Sequence, residues 1–145
     1  MVPSDLLLAI DHVGIAVGDL DEAKEFYAST FGLQTVHEET NEDQGVREAM
    51  LAVGDSDARI QLLAPLHESS TIAKFLDRRG PGIQQLAYRV ADIDRVSQVL
   101  RDRGVRLLYD GPRRGTSDSR VNFVHPKDAG GVLVELVEPR SDEGA

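Results

Sequence analysis

The pattern of apolar and polar positions divides the chain into short segments of changing period. "LLLAIDHVGIAV" (residues 6–17) opens as a continuous apolar run and passes into β-branched alternation, which predicts a strand. In "DLDEAKEFYASTFGL" (19–33) the period lengthens. Leu20, Ala23, Phe26, Tyr27 and Phe31 fall at helical spacing, Asp19 or Asp21 can cap the start, and Gly32 marks the end. Three strand-like runs follow, "LQTVHEE", "VREAMLAV" and "ARIQLLAP", separated by the turn-rich "TNEDQG" and "GDSD".

The second half replays this order. "IQQLAYRV" predicts a strand, "DIDRVSQVLRDRGV" a helix stopped at Gly104, "VRLLYDGP" a strand, and "SRVNFVHP" and "GVLVELVEP" the last two strands. Laying Val17 on Val90 sets His12 on Gln85, and "RIQLLAP" on "VELVEP" superposes Gln61 on Glu135 and Pro65 on Pro139. These matched landmarks, helices included, predict an internal duplication. The expected fold is α+β: two tandem βαβββ modules, about 7–66 and about 80–140, in a single domain over 1–145. Their strands form a curved mixed sheet around a cleft, and "HESSTIAKFLDRRGPG" serves as a linker containing one helix.

Composition narrows the function. At 145 residues the chain can bury an ordinary core. Its formal charge of -9 argues against nucleic acid or an anionic membrane as partner, because long-range steering would be repulsive. It has no cysteine, so disulfides and thiolate zinc sites are excluded. The start "MVPSDLLLAIDH" has no basic segment and reads as a first strand, which sets the expected location as cytoplasmic.

The repeat directs attention to His12, Gln61, Gln85 and Glu135. One donor from each of four strands can converge around a pseudo-twofold axis, as in a metal site. One imidazole nitrogen, two amide oxygens and one carboxylate oxygen, without sulfur, suit a hard to borderline divalent ion. The plainer alternatives are a hydrogen-bonded core histidine and outward polar glutamines. "GPRRGTSDSR" gathers Arg113, Arg114 and Arg120 in a Gly-rich turn, and Lys127 follows in "HPKDAGG". Guanidinium forks there can receive phosphate or carboxylate, and a solvated loop is the competing reading for Arg113 and Arg114. His125 reads as a packing residue.

The stretches "IDHVGIAV", "NEDQGVREAML", "QLLAPLHESSTIAKFL", "RGVRLLYDGPRRG", "NFVHPK" and "GVLVELVEP" resemble the vicinal oxygen chelate superfamily and, within it, the methylmalonyl-CoA epimerase family, over nearly the whole chain. The resemblance implies a mononuclear divalent ion, cobalt first, with manganese, nickel or zinc as alternatives, held by His12, Gln61, Gln85 and Glu135. It also implies an acyl-CoA substrate and a homodimer. Where the family carries His-His this chain carries Gln84-Gln85, which exchanges an imidazole nitrogen for a harder, weaker amide oxygen at 85. Gln84 should face the other side of the sheet.

The resemblance further implies inversion of the carbon between a thioester and a carboxylate, by removal and return of one proton. Glu48 matches the family's general base. Asp43 stands where the family has a glutamate, and Glu135 is the other candidate acid or base. Glu38, Glu39, Glu42 and Asp43 otherwise read as a solvated acidic loop. Rival readings are a glyoxalase, an extradiol dioxygenase and a metal-free binding protein. The dioxygenase needs two histidines and a carboxylate, whereas only His12 is a histidine among the four positions.

Overall fold

The computed structural model describes residues 1–141. Two compact units emerge, one of residues 12–84 and one of residues 1–11 with the described residues from 85 onward.

In the first unit the elements are β1 (Leu7–Ala16, its first five residues falling in the other unit), α1 (Leu20–Phe31), β2 (Gln34–Asn41), β3 (Val46–Ala52), β4 (Arg59–Pro65) and α2 (Thr71–Arg79). β1 pairs parallel with β4, β4 antiparallel with β3, and β3 antiparallel with β2, so the strand order is β2-β3-β4-β1. Asp19 caps α1, its carboxylate accepting from the Glu22 amide at 3.0 Å, and Gly32 ends it with φ 72°. That left-handed conformation costs glycine nothing and any β-carbon something.

The pleat sorts the side chains of this unit. Leu51 and Ala49 on β3 and Leu62 and Ala64 on β4 point to one face, where they are buried with Val17 and Leu20 under α1. Each fully buried leucine there contributes about 1.5–3 kcal/mol. The alternate residues point to the other face, and at the Ala16, Val46 and Leu63 end of it Ile72 of α2 closes a second small core.

The second unit repeats the plan. β5 (Gly82–Val90), whose first three residues fall in the other unit, leads to α3 (Ile93–Asp102), β6 (Arg113–Arg114), β7 (Arg120–Val124) and β8 (Val134–Glu138). β5 pairs parallel with β8, β8 antiparallel with β7, and β7 antiparallel with β6, giving the order β5-β8-β7-β6. Asp92 caps α3 through the Arg95 amide at 3.1 Å, at the same 73-residue offset from Asp19 that relates Gln85 to His12. Val90, Ile93, Val96, Val124 and Leu136 form the core beneath α3, with Leu6.

One predicted strand differs. "VRLLYDGP" forms no ladder of its own, only an isolated bridge from Leu107 to Val124, and β6 is the two residues beyond it. The segment still runs beside β7, with Leu108 N donating to Phe123 O at 2.8 Å and His125 N to Arg106 O at 2.9 Å. At Tyr109 the side chain of Asn122 replaces the ladder, accepting from Tyr109 N at 3.1 Å and donating to Tyr109 O at 3.0 Å. Asp110-Gly111-Pro112 then turns the chain away, since proline has no amide to donate.

The predicted linker helix is α2, capped by Ser70. Among the described residues no helix is long and apolar enough to cross a membrane.

Candidate active site

In the first unit His12, Gly14 and Ala16 alternate along β1 on the face away from α1. Register extends that face across the sheet: Gly14 lies beside Gln61, Ala16 beside Leu63, Gln61 beside Met50, and Leu63 beside Glu48. His12, Gln61 and Glu48 are all buried, at 2%, 3% and 3% exposure. A strand polar on the face opposite its packed core and yet buried is not a solvated face. The Gln61 amide nitrogen donates to a Glu48 carboxylate oxygen at 3.0 Å. Glycine at 14 leaves the face beside Gln61 without a side chain, a clue that the small alternate residues of "HVGIA" already carried.

The second unit carries an equivalent pair. Gln85, Ala87, Glu135 and Val137 share the face away from α3, because Ala87 pairs with Glu135 across β5 and β8. Gln85 is 6% and Glu135 7% exposed, and the Gln85 amide nitrogen donates to Glu135 at 2.6 Å. In both pairs the nitrogen end of the amide is committed to a carboxylate. Buried carboxylates survive only when hydrogen-bonded or coordinated, and each unit answers that requirement with a glutamine.

The donor chemistry fits a cation. Amide oxygen is an acceptor only, imidazole offers a nitrogen lone pair, and a carboxylate adds charge. Among the described residues no three His, Asp or Glu side chains form a group able to hold a metal ion. Gln84 alternates with Gln85 along β5, and its buried amide oxygen has no hydrogen-bond partner among the described residues.

Asp43 lies exposed in the turn between β2 and β3, outside the buried set. Glu38 and Glu39, for which a solvated acidic loop is the competing reading, belong to β2, as the strand-like run "LQTVHEE" predicts. Glu39 pairs directly across from Glu48, and its carboxylate meets His37 Nε2 at 2.6 Å. Sequence reading missed this contact because "VHEET" carries no signal for which carboxylate faces inward. The strand is irregular between Thr35 and His37, which resets the alternation.

The basic cluster is mostly engaged with carboxylates of its own unit. Arg120 bonds both oxygens of Asp94 at 3.0 and 3.1 Å and reaches Glu138 at 3.4 Å. Arg114 grips Asp118, which also receives Arg140 at 3.2 Å, and the Arg114 hydrogen bond, then its charge, holds the Asp118 carboxyl below the usual carboxylate range. Arg113 instead lies 3.9 Å above the Tyr109 ring. Lys127 follows His125, whose Nδ1 accepts from its amide.

A depression of about 660 Å³ beside α1, lined by Ile15, Val17, Phe26 and Tyr27, lies on the opposite side of β1 from His12 and offers none of these donors.

Comparison with known proteins places the chain in a family. Residues 11–123 match the Glyoxalase/Bleomycin resistance protein/Dioxygenase superfamily. The crystal structure of methylmalonyl-CoA epimerase from Mycobacterium tuberculosis is similar at 62% identity and TM-score 0.94, over 99% of this chain and 96% of that one. A variant of Streptomyces coelicolor methylmalonyl-CoA epimerase in complex with 2-nitronate-propionyl-CoA is 47% identical with TM-score 0.90, over 93% and 99%. Ethylmalonyl-CoA/methylmalonyl-CoA epimerase of Cereibacter sphaeroides is 38% identical over 88% of this chain and 95% of its own. The chain belongs to the Glyoxalase/Bleomycin resistance protein/Dioxygenase superfamily and, within it, to the methylmalonyl-CoA epimerase family.

Proposed function

We propose that this protein interconverts the (2R) and (2S) epimers of methylmalonyl-CoA by removing the C2 proton on one face and returning a proton on the other. The observation that carries the reading is the pair of buried glutamine–glutamate contacts, Gln61 with Glu48 and Gln85 with Glu135, in a chain 62% identical to a methylmalonyl-CoA epimerase. The complex of the Streptomyces coelicolor enzyme with 2-nitronate-propionyl-CoA supports an acyl-CoA ligand, and the Cereibacter sphaeroides relative supports ethylmalonyl-CoA as a second substrate.

Glu48 is the base. It shares its face with Met50 on a strand paired on both sides, and the Gln61 amide holds one carboxylate oxygen. Glu135, positioned by Gln85, is the acid or base for the opposite face. Asp43, exposed in its turn, is the weaker candidate.

His12, Gln61, Gln85 and Glu135 would hold a divalent ion, and the mixed nitrogen and oxygen set suits cobalt or manganese. When bound, the ion supplies Lewis-acid stabilisation of the negative charge that develops on the substrate. Arg113 and Lys127 receive the anionic groups of the substrate, with Arg114 and Arg120 shaping the turn through their ion pairs. The reading includes the cytoplasmic homodimer that the family likeness implies, which sedimentation of the purified protein checks.

The test is incubation of (2R)-methylmalonyl-CoA in deuterated water with Co²⁺ or Mn²⁺. Epimerisation with one deuteron gained at C2 is expected, and prior removal of the ion should suppress it. An unchanged, fully protiated substrate with every divalent ion would overturn the assignment and leave a binding protein.

A further inference from the structure

Glu48 is 3% exposed, and a base so deeply buried must still lose the proton it takes before the next turnover. The face of β2 and β3 around it holds two further titratable groups in order of increasing exposure. Glu39, directly across from Glu48, has an 18% exposed side chain, and His37, its neighbour by two along β2, is 39% exposed. Directly paired residues of an antiparallel sheet place their Cβ atoms about 4.5–5.5 Å apart, within reach of two carboxyl groups directly or through one water. The next link is closed, since His37 Nε2 and Glu39 Oε1 are 2.6 Å apart.

We propose that Glu39 and His37 form a proton relay joining the buried base Glu48 to solvent. The idea deepens the epimerase reading and rests on it for the proton's source.

The balance is simple. Glu48 takes the C2 proton and becomes a neutral acid. That proton passes to the Glu39 carboxylate, restoring Glu48, and then to His37 Nε2, restoring Glu39. The imidazole releases a proton from its other nitrogen to water, and no electron, oxidant or reductant is involved. Histidine is the side chain whose ordinary titration range suits delivery to neutral solvent. Cross-strand like charges would destabilise the sheet, so a glutamate opposite a buried glutamate has a structural cost. The His37 contact offsets it in part. On the other face of β2, Glu38 is taken up by Lys24 at 2.7 Å, so the two adjacent glutamates have separate partners.

The relay makes a prediction that a structural role does not. A substrate deuterated at C2, of the epimer whose C2 hydrogen faces Glu48, is incubated in ordinary water with the ion-loaded protein. Two rates are followed, loss of label from recovered starting epimer and formation of the opposite epimer. In the wild type the label on Glu48 escapes to solvent before it can return, so recovered starting material loses deuterium.

In Glu39→Gln and His37→Gln the label stays on Glu48 and returns to the substrate. The ratio of label loss to epimerisation should then fall by about 10²-fold, the lower end of what a positioned proton carrier contributes. Added imidazole should restore the ratio in His37→Ala. A ratio unchanged in both Glu39→Gln and His37→Gln, with thermal unfolding showing both folded, overturns the relay, because loss of a merely structural contact slows both rates together. A wild type that neither exchanges nor epimerises would instead overturn the epimerase reading.

Discussion

Replacing Glu48 by glutamine separates its chemical part from its structural one. The carboxylate accepts the Gln61 amide at 3.0 Å in a site 3% exposed, a hydrogen bond to a charged group worth about 1.5–3 kcal/mol. The Glu48→Gln side chain is isosteric and keeps an acceptor oxygen, so the contact persists as a neutral bond of about 0.5–1.5 kcal/mol. The expected loss of stability is therefore about 1 kcal/mol, read by urea unfolding. Glu48→Leu removes the acceptor as well, and leaving the Gln61 donor without it raises the loss to about 1–3 kcal/mol. Both variants lack the base. Their C2 exchange in deuterated water should fall by about 10²–10⁴-fold, or about 3–5 kcal/mol of barrier. Exchange at the wild-type rate in folded Glu48→Gln would remove Glu48 from the chemistry, whatever became of stability.

Gln85→His should tighten Co²⁺ and Ni²⁺ binding more than Mn²⁺ binding in calorimetric titration, because imidazole favours the later metals; identical shifts for all three would count against Gln85 as a donor. Asn122 is fully buried, and its side-chain oxygen accepts from Tyr109 and Phe123 amides while its nitrogen donates to Tyr109 O. Asn122→Leu should accordingly cost about 3 kcal/mol in thermal or urea unfolding, and a loss under about 0.5 kcal/mol would show that water replaces these bonds. Asp128 has its pKa lowered from 3.8 to about 2, chiefly by the Arg106 side-chain hydrogen bond. A carboxyl depressed on folding stabilises the fold fully above about pH 3.8 and loses that contribution as pH falls toward 2. A carboxyl NMR titration of Asp128 should show the low midpoint, rising toward 3.8 in Arg106→Gln; a wild-type midpoint already near 3.8 would refute the pairing.

The sequence made the fold and much of the site legible because both depend on period. Alternation placed His12 on the face opposite Ile15 and Val17, and the 73-residue offset picked out Gln85 from His12. His12, Gln61, Gln85, Glu135 and Glu48 are all buried polar residues. What stayed hidden is partner choice across distance. Arg120 finds Asp94 and Glu138, 26 and 18 residues away, so a guanidinium that looks available for phosphate in "PRRGTSDSR" is already paired. Asn122 hides for the same reason. An asparagine in "RVNFV" reads as a turn residue or a surface polar, and only the fold shows that it stands in for a ladder and displaces the expected strand at Tyr109. The irregularity before His37 likewise decides that Glu39, and not Glu38, shares a face with Glu48.

The most direct test of the account is the position of the ion. Crystals grown with Mn²⁺ and measured at the manganese absorption edge should show one anomalous peak within about 2.0–2.5 Å of the His12 imidazole, the Gln61 and Gln85 amide oxygens and the Glu135 carboxylate. A peak at other residues, or these four side chains directed to separate places in the same crystals, would contradict it.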